Sequence, residues 1–585
     1  MKTNEQKVIG MQKRKIGKVI NIVLLVWFVC IVLFWHFDLS KGAFGFYDTF
    51  TMAPYAVFHL TVFYTLALFA IFFNSLSLYH VLLLGLYFPL IQLVNYPYLT
   101  IRDVYLHSAP VQTILENGRL VYPQDPRPES WPASFNLHGV LSTVLGCDLI
   151  NANYVLYLFL LVSFIIILYS FAKMLEKKGY KLATYTTILF LCLFFNHLFD
   201  NFHHFSRTAL GFAFLLLFIV TFLCFHGRRG YLLQLLTAIA TLTTHPFQSF
   251  ALVIFATSYF VLARKSRRTN FMLLSVVAFA GWFLFNGSLI FYEGIDRLKT
   301  FFSPQYVEPL IETLASSEAL PWWGVILRDF FKYSLVTLLG FASLAAILTL
   351  YKKRTYHKHG SLLAGVIALL PMSMIMLIGL LLFSDWQISR FTAFAAFPAA
   401  FSSFILLDDL VVYKKAKISS YKLKLLNRKT LAVLLLFFII TLSAVVMVLR
   451  FERNYYFGEL NHPTELSSLS FFFSHDRGST VNIVSWRTAV YSAFFNYKHS
   501  HQTLRLWYTD LDEIGENSSK LLMYQNQLIN QSHSVIRGIR DEFDFRRVDS
   551  SKTVLKTIDE KIVGEFNQVY SNEYYIIYSR PHNPP

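Results

Sequence analysis

The sequence predicts a mainly α-helical, polytopic membrane helix bundle of about thirteen spans, followed by a small extracytoplasmic C-terminal α/β domain. Three observations carry this reading. The 585 residues are 55% hydrophobic and only 15% charged, where soluble domains carry about 25% charged residues. Apolar runs near the length of a bilayer crossing alternate with connections of very different charge. The apolar character then stops near residue 450, which divides the chain into a membrane part, 1–450, and a tail, 451–585.

The net charge of +17 does not point to nucleic acid. Residues 451–585 hold 14 basic and 16 acidic side chains, which leaves 38 basic and 19 acidic in residues 1–450. The excess lies in the membrane part, where positive charge marks cytoplasmic connections. The 59 Phe and 33 Tyr suit lipid and its borders. Cys30, Cys147, Cys192 and Cys224 are scattered in or beside apolar runs, with neither metal-ligand spacing nor a disulfide pattern, and read as small apolar fillers.

A bilayer core needs about 20 apolar residues per helix. The runs fall near 19–37, 55–73, 78–95, 154–173, 182–199, 208–225, 231–244, 250–263, 271–290, 333–350, 361–383, 391–412 and 430–449. "KRKIGK" precedes the first run, which is long and shows no small-residue cleavage site, so it reads as an uncleaved anchor. With the N-terminus in the cytoplasm, "EKKGYK", "HGRRG", "RKSRRTN", "YKKRTYHKHG" and "YKKAKISSYKLKLLNRK" all fall inside. Segments 96–153, "DNFHHFSR", "THPFQ", 291–332 and "SDWQISR" fall outside, and so does the tail. This charge segregation predicts a multi-pass protein of the cell membrane.

The outer side also collects the ionisable residues. Asp103, His107 and His138 lie in the first large segment; His197, Asp200, His203, His204 and Arg207 lie at the next turn. His245, Glu293, Asp296, Asp385 and Arg390 follow. Groups that do chemistry on a lipid-borne reactant must stay near water, and this rim is such a place. If the turn after Asp103 is helical, His107 shares its face. Pro110 equally allows a helix that begins near Ala109, carries Val111, Ile114 and Leu115 as an apolar stripe, ends at Gly118 and lies flat on the surface. In a helix, Asp200, His203, His204 and Arg207 would form one polar face. They could bind a substrate phosphate or an acceptor, hold a divalent ion, or be a solvated turn. His245, just before Pro246, is a site candidate or a helix cap.

Four stretches resemble one family. They are "RDVYLHSAPVQTILENGRLVYP", "WPASFNLHGVLSTVLG", "SDWQISRFTAFAAFPAAF" and the chain end "FNQVYSNEYYIIYSR". An acid opens a large outer loop, an amphipathic segment follows, an arginine sits at the outer end of a late span, and a hairpin closes the chain. This layout resembles the GT-C glycosyltransferases, the polytopic class that includes protein mannosyltransferases and oligosaccharyltransferase catalytic subunits. One feature departs from it: an additional hairpin precedes the acidic loop.

The resemblance implies sugar transfer from a polyprenyl-phosphate donor to a protein, lipid or glycan acceptor on the extracytoplasmic face. Such transfer needs a base for the acceptor hydroxyl and fixed cations for the departing phosphate. By position Asp103 is the base, with His107 beside it; a pair with Arg102 is the alternative. Arg390 looks like the arginine that grips the lipid phosphate, its planar fork being suited to two oxygens; interfacial snorkelling is the alternative. Asp385 is its partner or a second acid, and Asp200, His203, His204, Arg207 and His245 complete the substrate-binding set. A divalent cofactor, Mg or Mn, is left open. Trp322 and Trp323 read as interfacial anchors. The competing classes are a transporter or flippase of lipid-linked glycans, whose ionisable groups would sit nearer the midplane, and an O-antigen ligase or polymerase.

In the tail, "TVNIVSW" reads as a strand, "NSSKLLMYQNQLINQSHSVI" as partly helical, and "NQVYSNEYYIIYS" as two strands around a Ser-Asn turn. Asn286, Asn517 and Asn530 sit in glycosylation sequons. Repeats, P-loops and dinucleotide fingerprints are absent from the sequence.

Overall fold

The computed structural model describes residues 103–119, 131–177, 205–225, 227–263 and 269–285, and parts of 15–33, 62–69 and 77–86. It also describes Ser474 and the tail residues 480–483, 503–506, 520–524, 567–571 and 575–579. Seven helices are delimited: α1 (Asp103–Asn117), α2 (Ala133–Leu145), α3 (Leu149–Lys177), α4 (Arg207–Cys224), α5 (Arg228–Thr244), α6 (Pro246–Ala263) and α7 (Thr269–Phe285).

Helices α3 to α7 fall on five of the expected spans. At 29 residues, α3 is the one described helix long and apolar enough to cross a membrane; at about 1.5 Å per residue it exceeds a hydrocarbon core of about 30 Å. It is polar at its Lys177 end, where the basic connection "EKKGYK" begins. The expected spans at 182–199, 333–350, 361–383, 391–412 and 430–449 lie outside the described residues. Residues 15–30 are helical, as are 78–83, and His80 Nε2 lies 2.7 Å from Asn21 Oδ1. Ser77 Oγ sits 2.9 Å from the other ring nitrogen, so the imidazole has a polar partner on each side.

The chain reverses tightly on either side of α5. Ser206 caps α4, its Oγ accepting from the Ala209 N–H at 3.1 Å. Gly227, at φ 92°, turns the chain from α4 into α5 in a conformation that penalises any side chain. At the other end only His245 separates α5 from α6. It is extended (φ −161°, ψ 138°), as a residue before proline tends to be, and Pro246 opens α6, where its missing N–H costs nothing.

In α5 the usual soluble-protein pattern is inverted. Gln234, Thr237, Thr241 and Thr244 are buried, while Leu232, Leu233, Leu235, Leu236 and Ile239 are exposed. Lipid supplies no hydrophobic drive between helices, so close packing and hydrogen bonds hold such a bundle. The Thr237 hydroxyl donates to the Leu233 carbonyl at 2.8 Å and that of Thr241 to the Thr237 carbonyl at 2.7 Å. Gln234 crosses to α4, its Nε2 donating to the Thr221 carbonyl at 3.1 Å and to that of Phe225 at 3.2 Å. The Phe225 carbonyl just past the end of α4 thereby gains a partner, and the Thr221 carbonyl accepts a second bond beside that from the Phe225 N–H at 2.9 Å. Gly230 admits the close approach: a Cβ there would stand 3.0 Å from the Phe225 carbonyl. Phe218 and Phe222 of α4 meet Phe255 and Tyr259 of α6 edge-on, with centroids 5.7 Å apart for Phe222–Phe255 and 4.7 Å for Phe222–Tyr259.

The structure decides between the two readings of the first outer segment. Helix α1 begins at Asp103, the turn being helical, and not near Ala109, so Pro110 lies inside it and removes one helical hydrogen bond. Burial compensates: Val104, Ala109 and Val111 are fully buried, and Pro110 is buried with them. The apolar stripe of α1 packs on α2, where a Cβ on Gly139 would stand 3.4 Å from Val111 and 3.7 Å from Ile114. Gly118, at φ 68°, ends α1 as expected, its N–H donating to the Ile114 carbonyl at 2.9 Å.

The tail contains a five-stranded mixed sheet: β1 (Thr480–Ile483), β2 (Thr503–Leu506), β3 (Lys520–Tyr524), β4 (Asn567–Ser571) and β5 (Tyr575–Ser579), in the order β2-β1-β3-β5-β4. β1 pairs in parallel with β2 and β3; β5 pairs antiparallel with β3 and β4. The expected strand at 480 and the closing hairpin are present. The stretch from Asn517, expected to be partly helical, contributes β3 at Lys520–Tyr524, and its other residues lie outside the described ones. Leu, Met and Tyr are tolerable in either state, and pairing on both edges decides for strand.

Candidate active site

The outer-segment candidates meet where α4 begins. His107, one turn after the first residue of α1, lies 6.2 Å from the Phe135 ring of α2, centroid to centroid. Arg207, the first residue of α4, holds its guanidinium carbon 5.2 Å from the same ring. Phe135 is 2% exposed, so one buried ring is shared by an imidazole and a permanent cation. A guanidinium on an aromatic face gains about 0.5–2 kcal/mol. His107 and Arg207 are each partly exposed.

His245 sits next to this junction. It is buried, and its Nε2 lies 3.3 Å from the hydroxyl of Thr208, the residue after Arg207. It therefore serves the turn as a helix end and also reaches α4. Asp103 opens α1, one helical turn before His107 and on the same face; its side chain lies outside the described residues. Asp200, His203, His204, Asp385 and Arg390 lie outside them altogether, as do His197, Glu293, Asp296, Trp322 and Trp323. Among the described residues no three His, Cys, Asp or Glu side chains come together as a metal set.

Further groups hold the start of α4. The Asn153 amide of α3 bonds Phe205 twice: Nδ2 donates to the Phe205 carbonyl at 3.2 Å, and Oδ1 accepts from its N–H at 3.1 Å. Gln248 of α6 donates from Nε2 to the Thr208 carbonyl at 2.9 Å. His138 of α2 meets the Phe205 ring edge-on at 6.0 Å and donates from Nε2 to the Leu149 carbonyl at 2.7 Å. It is 2% exposed, and burial pushes its pKa down to about 4 against the opposing effect of that carbonyl. It is a neutral fastener between α2 and α3. The sequence reading missed Asn153 and Gln248 because both were assigned to connections beside spans. Their signal was an amide next to an apolar run, where an uncompensated polar group is costly.

No family model and no curated protein matches the chain. The structure is similar to that of the Archaeoglobus fulgidus oligosaccharyltransferase tethered to an acceptor peptide containing the NVT sequon. The TM-score is 0.47 and the identity 11%, over 83% of this chain and 72% of that one. It is also similar to ArnT from Cupriavidus metallidurans in the apo state, with TM-score 0.41 and 9% identity, over 82% of this chain and 94% of that one. Likenesses of this strength assign no activity.

Proposed function

We propose that the chain is a membrane glycosyltransferase that moves a sugar from a polyprenyl-phosphate donor to an acceptor hydroxyl or amide on the extracytoplasmic face. The observation that supports this best is the junction itself. Helix α1, opened by Asp103, presents His107 against the same ring that carries Arg207, so a base-bearing element and a cation meet at one edge of the bundle.

In this reading the reaction is a single displacement. Asp103 accepts the proton of the acceptor, whose oxygen or nitrogen bonds to the anomeric carbon. The bond from that carbon to the phosphate oxygen breaks, and the electron pair leaves with the lipid phosphate. Arg390 and Arg207 neutralise the growing phosphate charge. Asp200, His203, His204, His245 and Asp385 complete the substrate-binding set, and a Mg or Mn ion at Asp200 and the adjacent histidines is proposed only as an EDTA-sensitive option. The Thr and Gln residues inside α5 do not favour a transport path. The Thr237 and Thr241 hydroxyls bond carbonyls of their own helix, and the Gln234 amide bonds carbonyls of α4.

The test is transfer from a polyprenyl-phosphate sugar in membranes. Asp103→Asn should lower the rate by about 100-fold or more, and Arg207→Ala and Arg390→Ala should each lower it at least about tenfold. Wild-type rates in all three variants would refute the reading.

A further inference from the structure

Residues 205–208 are held from four directions. Asn153 of α3 bonds both polar groups of the Phe205 backbone. His138 of α2 packs on the Phe205 ring. His245, at the corner of α5 and α6, reaches the Thr208 hydroxyl, and Gln248 of α6 reaches the Thr208 carbonyl. Asn153 and Gln248 are both fully buried. Gly211 makes room for the last of these contacts: a Cβ there would stand 3.2 Å from Cδ and Cγ of Gln248. The bonds bridge 37 to 52 residues of sequence, so they join separate helices rather than trimming one. Between the two clamped residues, Phe205 and Thr208, stands Arg207.

We propose that Gln248 and Asn153 are positioning residues: they fix residues 205–208 so that the Arg207 guanidinium on Phe135 is aimed at the phosphate of a lipid ligand. This rests on the phosphate role given to Arg207 above. The Gln248 amide alone cannot bind the phosphate through the helix, because its Nε2 is committed to the Thr208 carbonyl. Its effect must pass through Arg207, and that gives the proposal a signature. Removing Gln248 should cost binding only while Arg207 is present.

The experiment uses the full chain in detergent with a long-chain polyprenyl monophosphate as probe. Phosphatidate and inorganic phosphate serve as comparison arms. Arg207→Ala should weaken binding of the polyprenyl phosphate about tenfold, the scale of one charge-assisted contact. Gln248→Ala should weaken it about fivefold, and the double variant no more than Arg207→Ala alone. Gly211→Ala, whose Cβ would press on Cγ and Cδ of Gln248 at 3.2 Å and on its Oε1 at 3.4 Å, displaces the amide without removing it and should act in the same direction and add nothing to Gln248→Ala. Gln248→Glu, which loses the donor but keeps the volume, should behave as Gln248→Ala does.

Multiplicative losses in the double variant would overturn the positioning role and leave Gln248 a packing residue. Should Gln248→Ala fail to fold, the Gly211→Ala cycle with Arg207→Ala decides between the same two outcomes. If Arg207→Ala binds the probe as the wild type does, the phosphate role of Arg207 is wrong, and the positioning proposal falls with it. Equal weakening of all three probes would overturn the assignment to a carrier lipid.

Discussion

Replacing His138 by glutamine should remove a pH dependence that the wild type carries. The imidazole is 2% exposed, donates to the Leu149 carbonyl and has its pKa lowered to about 4 from 6.5 by burial. It lies on α2, ahead of α3 and outside the expected spans, so water reaches it once that segment opens. The unfolded chain binds the proton more readily than the folded chain between those two values. The stability that His138 contributes is therefore complete above pH 6.5 and is lost as the pH falls towards 4. Going from about pH 7.5 to about pH 5.5 costs about 1 kcal/mol, and the full loss below both values is about 3 kcal/mol. His138→Gln keeps an N–H donor for Leu149 and does not titrate. The assay is thermal unfolding of both proteins in detergent at the two pH values. The wild type should lose midpoint temperature on acidification by more than the variant does. Identical pH dependence would refute the buried neutral imidazole, and with it the view that α2 is pinned to α3 there.

Other perturbations test the neighbouring contacts. Asn153→Ala leaves the Phe205 N–H and carbonyl without their amide. It should cost about 1–3 kcal/mol for each buried group, read as a fall in unfolding midpoint together with weaker phosphate binding. Gly139→Val would drive a branched side chain into Val111 and Ile114 of α1. Overpacking of this kind costs about 1–3 kcal/mol, and limited proteolysis should cleave the segment around α1 faster than in the wild type.

How much of this was legible in the sequence depends on the range of the interaction. Helices α3 to α7 were readable because an apolar run of bilayer length is a local property. The end of α1 was readable from Gly118, since a positive φ selects glycine locally. Its beginning stayed open between Asp103 and Ala109. Pro110 allows a helix start, and only the burial of Val104, Ala109 and Val111 explains an interior proline. Strand β3 was not singled out for the same reason: its residues accept either state, and its partners lie about 40 and 60 residues away in sequence.

The site divides in the same way. Polar residues at the rim are visible in a hydrophobic chain, so His107, Arg207 and His245 could be picked out singly. That Phe135 would join His107 to Arg207, or that Asn153 would hold Phe205, depends on which helices pack together. One sequence alone carries no such pairing. Phe135, Asn153 and Gln248 each look ordinary beside an apolar run, and their roles emerge only once α2, α3 and α6 surround the start of α4.

An experimental structure of the full chain with a polyprenyl monophosphate bound decides whether this edge of the bundle is a glycosyl-transfer site. The phosphate is expected about 3 Å from the Arg207 guanidinium, with the Asp103 carboxylate facing the same space. A phosphate seated elsewhere, with Asp103 and Arg207 opening onto separate regions, would contradict it.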